Sequence, residues 1–125
     1  MHIIFGEEQV APLRDKYTIL ELDTIRFGQG GPEIPAFAVI ENIGIQDLPL
    51  VEGRCDMHSN LLTEYRKRNW NYCEQAIEQL VNTWGGELDS FYEELLSRVT
   101  KYKEDDPGEN WDWVIEKPVV LGSAQ

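Results

Sequence analysis

At 125 residues, with 42% apolar and 10% aromatic side chains, the chain has the size and make-up of one globular domain that can bury a core without staples. Its 23 acidic residues outnumber 11 basic ones for a net charge of −12, and the one basic cluster is Arg66-Lys67-Arg68. That balance argues against direct DNA or RNA binding, whose affinity comes from clustered Lys and Arg on phosphates, and no apolar run reaches the roughly 18 residues that span a bilayer.

The first element expected is a short strand, His2-Ile3-Ile4-Phe5, ended by Gly6. It turns acidic at Glu7-Glu8 before a secretory h-region can form, so the expected location is cytoplasmic. Residues 7–16 hold Pro12 and read as a loop or a short helix at most. Tyr17 to Phe27 is rich in β-branched and aromatic residues. Leu20 and Leu22 share one face of a strand there, whereas Ile25 and Phe27 fall on the other, and this change of phase predicts a bulge near Asp23. Gly28-Gln29-Gly30-Gly31-Pro32 is the strongest turn signal. Ile34 to Ile43 then alternates again, completing an antiparallel hairpin within a two- or three-stranded sheet over residues 1–46.

Helical spacing takes over from residue 47 to 104. Asp47-Leu48-Pro49 is a plausible start, although Gly53 allows the helix to begin only after it. Val51, Cys55, His58, Leu62 and Tyr65 recur at spacings of four, three, four and three, which is one face of an amphipathic helix. A second helix begins at Asn69 or Asn71, the latter forming a capping box with Glu74. It buries Cys73, Ile77, Leu80 and Trp84 and stops at Gly85-Gly86. Asp89 or Ser90 caps a third helix, Glu93 completing a box with Ser90, and Phe91, Leu95, Val99 and Tyr102 form its stripe. Residues 105–121 read as an extended return through Trp111 and Trp113, and Gly122 to Gln125 as a frayed tail. The fold class is therefore α+β: one domain over residues 1–121, its N-terminal sheet packed on a bundle of about three helices.

Motifs with chemistry are sparse. Cys55 and His58 lie one helical turn apart and are the best metal-like pair, but zinc needs four ligands, or three plus water, and no second Cys/His pair exists. No metal and no cofactor are expected. Cys55 and Cys73 read as small buried hydrophobes and not as a disulfide. The Gly28–Pro32 stretch lacks the Lys-Ser/Thr of a phosphate loop. In the oxygen-rich run Asp105 to Asp112, Pro107 and a misplaced Gly break the order of a calcium loop. Glu21, Asp23 and Glu41 are placed to pair across the hairpin as an acid/base couple. Trp70, Tyr72, Trp111 and Trp113 are the candidate partner-binding residues, because aromatic anchors dominate protein interfaces.

Tyr65, Trp70, Cys73, Ile77 and Leu80 follow the packing positions of a tetratricopeptide repeat, which this segment resembles. Cys73 and Leu80 stand where the repeat usually has Ala, and Gly85-Gly86 replaces its closing Pro. The run Tyr65, Arg66-Lys67-Arg68-Asn69-Trp70-Asn71, two helices and Pro107-Gly108-Glu109-Asn110-Trp111-Asp112…Glu116-Lys117 also resembles the helical tail that follows the catalytic domain in some bacterial adenylate/guanylate cyclases. The likeness covers about residues 54–117. It implies a packing or docking unit and no cyclase activity, since the remaining half is too short for that catalytic domain.

Fewer than about three such repeats do not bury a core alone, so the N-terminal sheet is expected to complete it. The leading functional expectation is a non-enzymatic interaction or structural domain with a protein partner of unspecified identity, another copy of the chain included. The alternatives are a DNA-mimicking inhibitor, whose acids (Glu74, Glu78, Glu87, Glu93, Glu94, Asp105 and Asp106) would line one face, and a small enzyme or ligand-binding domain with a pocket between sheet and helices.

Overall fold

The computed structural model describes residues 2–28, 30–41 and 48–117. The described elements run β1 (His2–Phe5), α1 (Glu7–Val10), a 3-10 turn (Ala11–Leu13), β2 (Thr18–Phe27), β3 (Glu33–Ile40), α2 (Leu48–Arg66), α3 (Trp70–Leu80), α4 (Asp89–Glu104) and β4 (Ile115–Lys117). The architecture is α+β, a mixed sheet followed by helices, as the change in hydrophobic period near residue 47 implies. Among the described residues no helix is long and apolar enough to cross a membrane.

The sheet has four strands in the order β1-β3-β2-β4, one more than the hairpin pattern implies. β1 and β2 flank β3 antiparallel, whereas β4 adds parallel to the far end of β2 through Ile25↔Ile115 and Phe27↔Lys117. The predicted bulge is present. Between the pairs Glu21↔Phe37 and Thr24↔Pro35, β2 advances three residues while β3 advances two. The extra residue turns Ile25 back to the face of Leu20 and Leu22, and all three join the core. Ala36, Ala38 and Ile40 supply that face from β3, and small alanines there let the helices approach closely. On the opposite face, Arg14 lies over the ring of Phe37 at 5.4 Å.

α2 begins at Leu48 and runs straight through Gly53. It buries Val51, His58, Leu61, Leu62 and Tyr65. α3 buries Trp70, Cys73, Ala76, Ile77 and Leu80, and α4 buries Phe91, Tyr92, Leu95 and Val99. These residues and the sheet face form one continuous core. The extended return and the three helices thus belong to the same packing unit as the strands.

The helix ends differ from the capping pattern. α3 starts at Trp70 with Asn69 before it, and the Asn69 amide donates to Glu64 Oε2 at 3.1 Å instead of capping. Glu74 accepts from Lys103 and not from a backbone N–H of its own helix start. α3 ends at Leu80, ahead of Gly85-Gly86, because Asn82 adopts a left-handed conformation (φ 68°) whose N–H donates to Asp89 Oδ1 at 2.8 Å. Asp89 opens α4, yet its carboxylate serves that turn, and no side chain caps α4. The expected frayed tail at 122–125 lies outside the described residues, as do Ile43 and Asp47.

Candidate functional site

The aromatic residues singled out above converge from four segments. Tyr65 ends α2, Trp70 opens α3, Tyr102 lies in the last turns of α4, and Trp111 follows in the return. Their ring centroids pair at 5.9 Å (Tyr65–Trp70), 5.0 Å (Tyr65–Trp111), 5.5 Å (Trp70–Tyr102 and Trp70–Trp111) and 5.2 Å (Tyr102–Trp111). Edge-on and tilted pairs of this kind add stabilisation beyond area burial. Trp70 is only 7% exposed, and its indole N–H donates to Asp106 Oδ2 at 2.9 Å.

Asp106 also accepts from Arg68 at 2.8 Å and from the Gly108 N–H at 2.8 Å. These bonds, the Gly108 N–H foremost, hold its carboxyl well down, at about 2. The residue ties the α2–α3 turn, where Arg68 is left-handed (φ 64°), to the start of the return. Within the oxygen-rich run Asp105 to Asp112, Asp106 is thus a clamp.

Trp113 does not share that cluster. It sits in a left-handed conformation (φ 54°), half-buried beneath the Arg66 guanidinium at 5.6 Å. Arg66 in turn donates to Glu21 Oε2 at 2.7 Å. Tyr72 faces elsewhere, beside Met57, Gln75, Ala76 and Gln79, around a shallow hollow of about 150 Å³. The four candidate partner residues therefore divide into the Trp70/Trp111 cluster, the Arg66–Trp113 stack and the Tyr72 hollow.

The carboxylates proposed as an acid/base couple are not paired with each other. Glu21 is held by Arg66, and Asp23 is held by both terminal guanidinium nitrogens of Arg98, at 2.9 and 3.2 Å. Burial opposes the Arg98 charge, but Asp23 and Tyr65 outweigh it and raise its pKa. Burial pushes the Tyr65 hydroxyl up to about 12.

His58 is fully buried and both its ring nitrogens are engaged. Nε2 lies 2.6 Å from the Glu21 carbonyl, which can only accept, so Nε2 carries the proton. Nδ1 then accepts from the Tyr92 hydroxyl at 2.9 Å, and the Tyr92 oxygen accepts from Trp84 Nε1–H at 3.1 Å. These bonds leave neither ring nitrogen free to ligate a metal. Cys55 is half-buried and Cys73 buried, both as free thiols, and burial raises Cys73 to about 12. Among the described residues no group of three or more His, Cys, Asp or Glu is arranged to hold a metal ion.

Burial also lowers the His58 pKa, against the opposing Glu21 carbonyl and carboxylate. The unfolded chain takes up a proton here below about pH 6.5, while the folded chain resists it. The unfolded state then binds more protons, so the His58 contribution is complete above pH 6.5 and is lost as pH falls below it. Stability is therefore expected to fall between pH 7.5 and 5.5. Urea midpoints should show this drop in wild type and a smaller one in His58→Gln; equal drops would contradict the assignment.

Sequence reasoning did not find a different surface, at the open edge of β1. Ile3 and Phe5 are 47% and 44% exposed, and they stand on one side of a groove of about 330 Å³ whose other side is the first half of α4. Leu22, Ile25 and Ala36 of the sheet and Phe91 of α4 line it, and Glu94 and Lys117 add charge. Phe5 meets Phe27 edge-on at 6.0 Å. The short run His2–Phe5 carried only the signal of a short strand, which is silent about its place in the sheet. Scans against known protein families, curated proteins and solved structures find no match to this chain.

Proposed function

We propose that this protein is a small acidic interaction domain, non-enzymatic, that binds a partner protein. The observation that carries the reading is the pair of exposed apolar side chains, Ile3 and Phe5, bordering an apolar groove on an otherwise acidic chain; exposed apolar ground beside a concavity is what a partner covers. The groups best placed for chemistry serve the fold instead: Glu21 and Asp23 neutralise arginines and His58 is locked between Tyr92 and the Glu21 carbonyl. The tetratricopeptide-like hairpin acts here as scaffold. Its five packing positions, Tyr65, Trp70, Cys73, Ile77 and Leu80, are all buried, which supports that role.

The DNA-mimic alternative draws no comparable support. Glu74 and Asp106, two of its proposed acids, are bonded to Lys103 and Arg68.

The test is affinity capture with chemical crosslinking in the native host, followed by reconstitution from purified components. A saturable complex of fixed stoichiometry, lost when Ile3 and Phe5 are both changed to Ser, is expected. Failure to reconstitute any complex would overturn the reading.

A further inference from the structure

β1 is hydrogen-bonded along one side only, to β3; among the described residues no strand pairs with its other side. In an antiparallel ladder, residues that aim their N–H and C=O at the partner alternate with residues that aim them away. Just past β1, the Gly6 N–H donates to the Pro35 carbonyl at 2.8 Å. Counting back by two, Ile4 and His2 address β3, opposite Phe37 and Val39. Ile3 and Phe5 therefore turn their backbone groups outward. They are also the residues whose side chains border the groove. The same two positions thus offer unpaired backbone donors and acceptors and an apolar wall, the two things a docking strand uses for affinity and for choice of side chain.

Charge narrows the occupant. The chain carries −12, and Glu8 follows β1 directly; Glu7 beside it is paired with Arg14, Glu94 on the α4 side of the groove is paired with Arg98, and Lys117 is the one lining cation. Seven basic residues, Arg14, Arg26, Arg66, Lys67, Arg68, Arg98 and Lys103, are already in internal ion pairs. A second copy of the chain would bring its own −12 and its own Glu8 to this edge. A segment with Lys or Arg at its ends is drawn to it. We infer that the outer edge of β1 captures an extended segment of another protein by strand addition, with alternate apolar side chains entering the groove and basic residues flanking them. This rests on the interaction-domain reading and names its binding mode.

The probe is a fluorescent eight-residue peptide with an alternating Val-Thr centre and two Lys at each end, compared with the same centre flanked by Glu. Binding is read by anisotropy, and backbone amide shifts are followed by NMR. Ile3→Pro removes an outward N–H that β3 does not use, and proline is tolerated at such edge positions. The Lys peptide is expected to bind at least about tenfold more tightly than the Glu peptide, and Ile3→Pro to weaken it about tenfold with an unchanged circular dichroism spectrum. In wild type the Ile3 and Phe5 amides should shift most, a readout that stands even if Ile3→Pro misfolds.

Equal affinity for the two peptides, unperturbed Ile3 and Phe5 amides, or no binding at about 1 mM peptide would overturn the inference. So would a dimer, seen by light scattering, that Ile3→Pro dissolves, because the edge would then take a second copy. Tenfold tighter binding after removal of residues 118–125 would overturn it too, assigning the groove to the chain's own tail. If the inference fails while a reconstituted complex survives Ile3→Pro, the domain still binds a partner but elsewhere.

Discussion

Replacing Arg98 with Ala is expected to cost about 2–4 kcal/mol of folding stability, somewhat less than stripping one partner from a fully buried ion pair, because this pair is partly buried. Asp23 is 14% exposed and Arg98 16%, and two bonds join them across the sheet–helix boundary. The bulge of β2 falls between Glu21 and Thr24, so Asp23 sits at the irregularity that brings Ile25 back to the core face. Without Arg98 the partly buried Asp23 carboxylate loses its counter-charge, and Tyr65 loses the guanidinium that opposes its desolvation. For a chain of this length, roughly 3–5 °C of melting temperature accompanies each kcal/mol, so the melting point should fall by about 6–20 °C. The double change Asp23→Leu with Arg98→Leu should recover most of the loss, since a buried pair gives little net stability over apolar residues of similar volume. A single variant that melts within about 2 °C of wild type would contradict this role.

Leu20→Ala tests the same boundary through packing. Leu20 is buried on β2 opposite Ala38, in the cluster that includes Leu61, Ile77 and Leu95 of the three long helices. Truncating a buried leucine removes its transfer free energy and leaves a cavity, together about 2–5 kcal/mol. The neighbours limit collapse: Ala36 and Ala38 are already small, and β2 is held on both sides by β3 and, farther along, β4. A value in the upper half of that range is expected.

Much of this framework was legible in the residues, for identifiable reasons. The phase slip between Leu22 and Ile25 revealed the bulge because strand side chains alternate strictly. The stripe through Val51, His58, Leu62 and Tyr65 revealed α2 because helical faces repeat. What was hidden depends on pairings remote in sequence. β4 is three residues long and joins β2 parallel, below the length at which a pattern is readable. Arg98 and Asp23 lie 75 positions apart, so nothing local announces their bond. The caps failed because Asn69 and Asp89 found other partners, Glu64 and the Asn82 N–H, that only the folded chain supplies. Trp70, Trp111, Trp113 and Tyr72 were recognisable as important, yet three dimensions divide them among separate environments. The open edge at Ile3 and Phe5 went unseen because a four-residue strand does not disclose its neighbours.

All four tryptophans, at positions 70, 84, 111 and 113, lie outside the sheet-forming third of the chain, so their fluorescence reports the helices and the return while Leu20 belongs to β2. Urea unfolding of Leu20→Ala, followed at once by tryptophan fluorescence and far-ultraviolet circular dichroism, therefore asks whether strands and helices are one cooperative unit. The expected result is a single transition in both signals, with coincident midpoints lowered from wild type and an unchanged slope. A fluorescence midpoint that stays at its wild-type value while the dichroism signal moves would show that the helices hold together without the sheet.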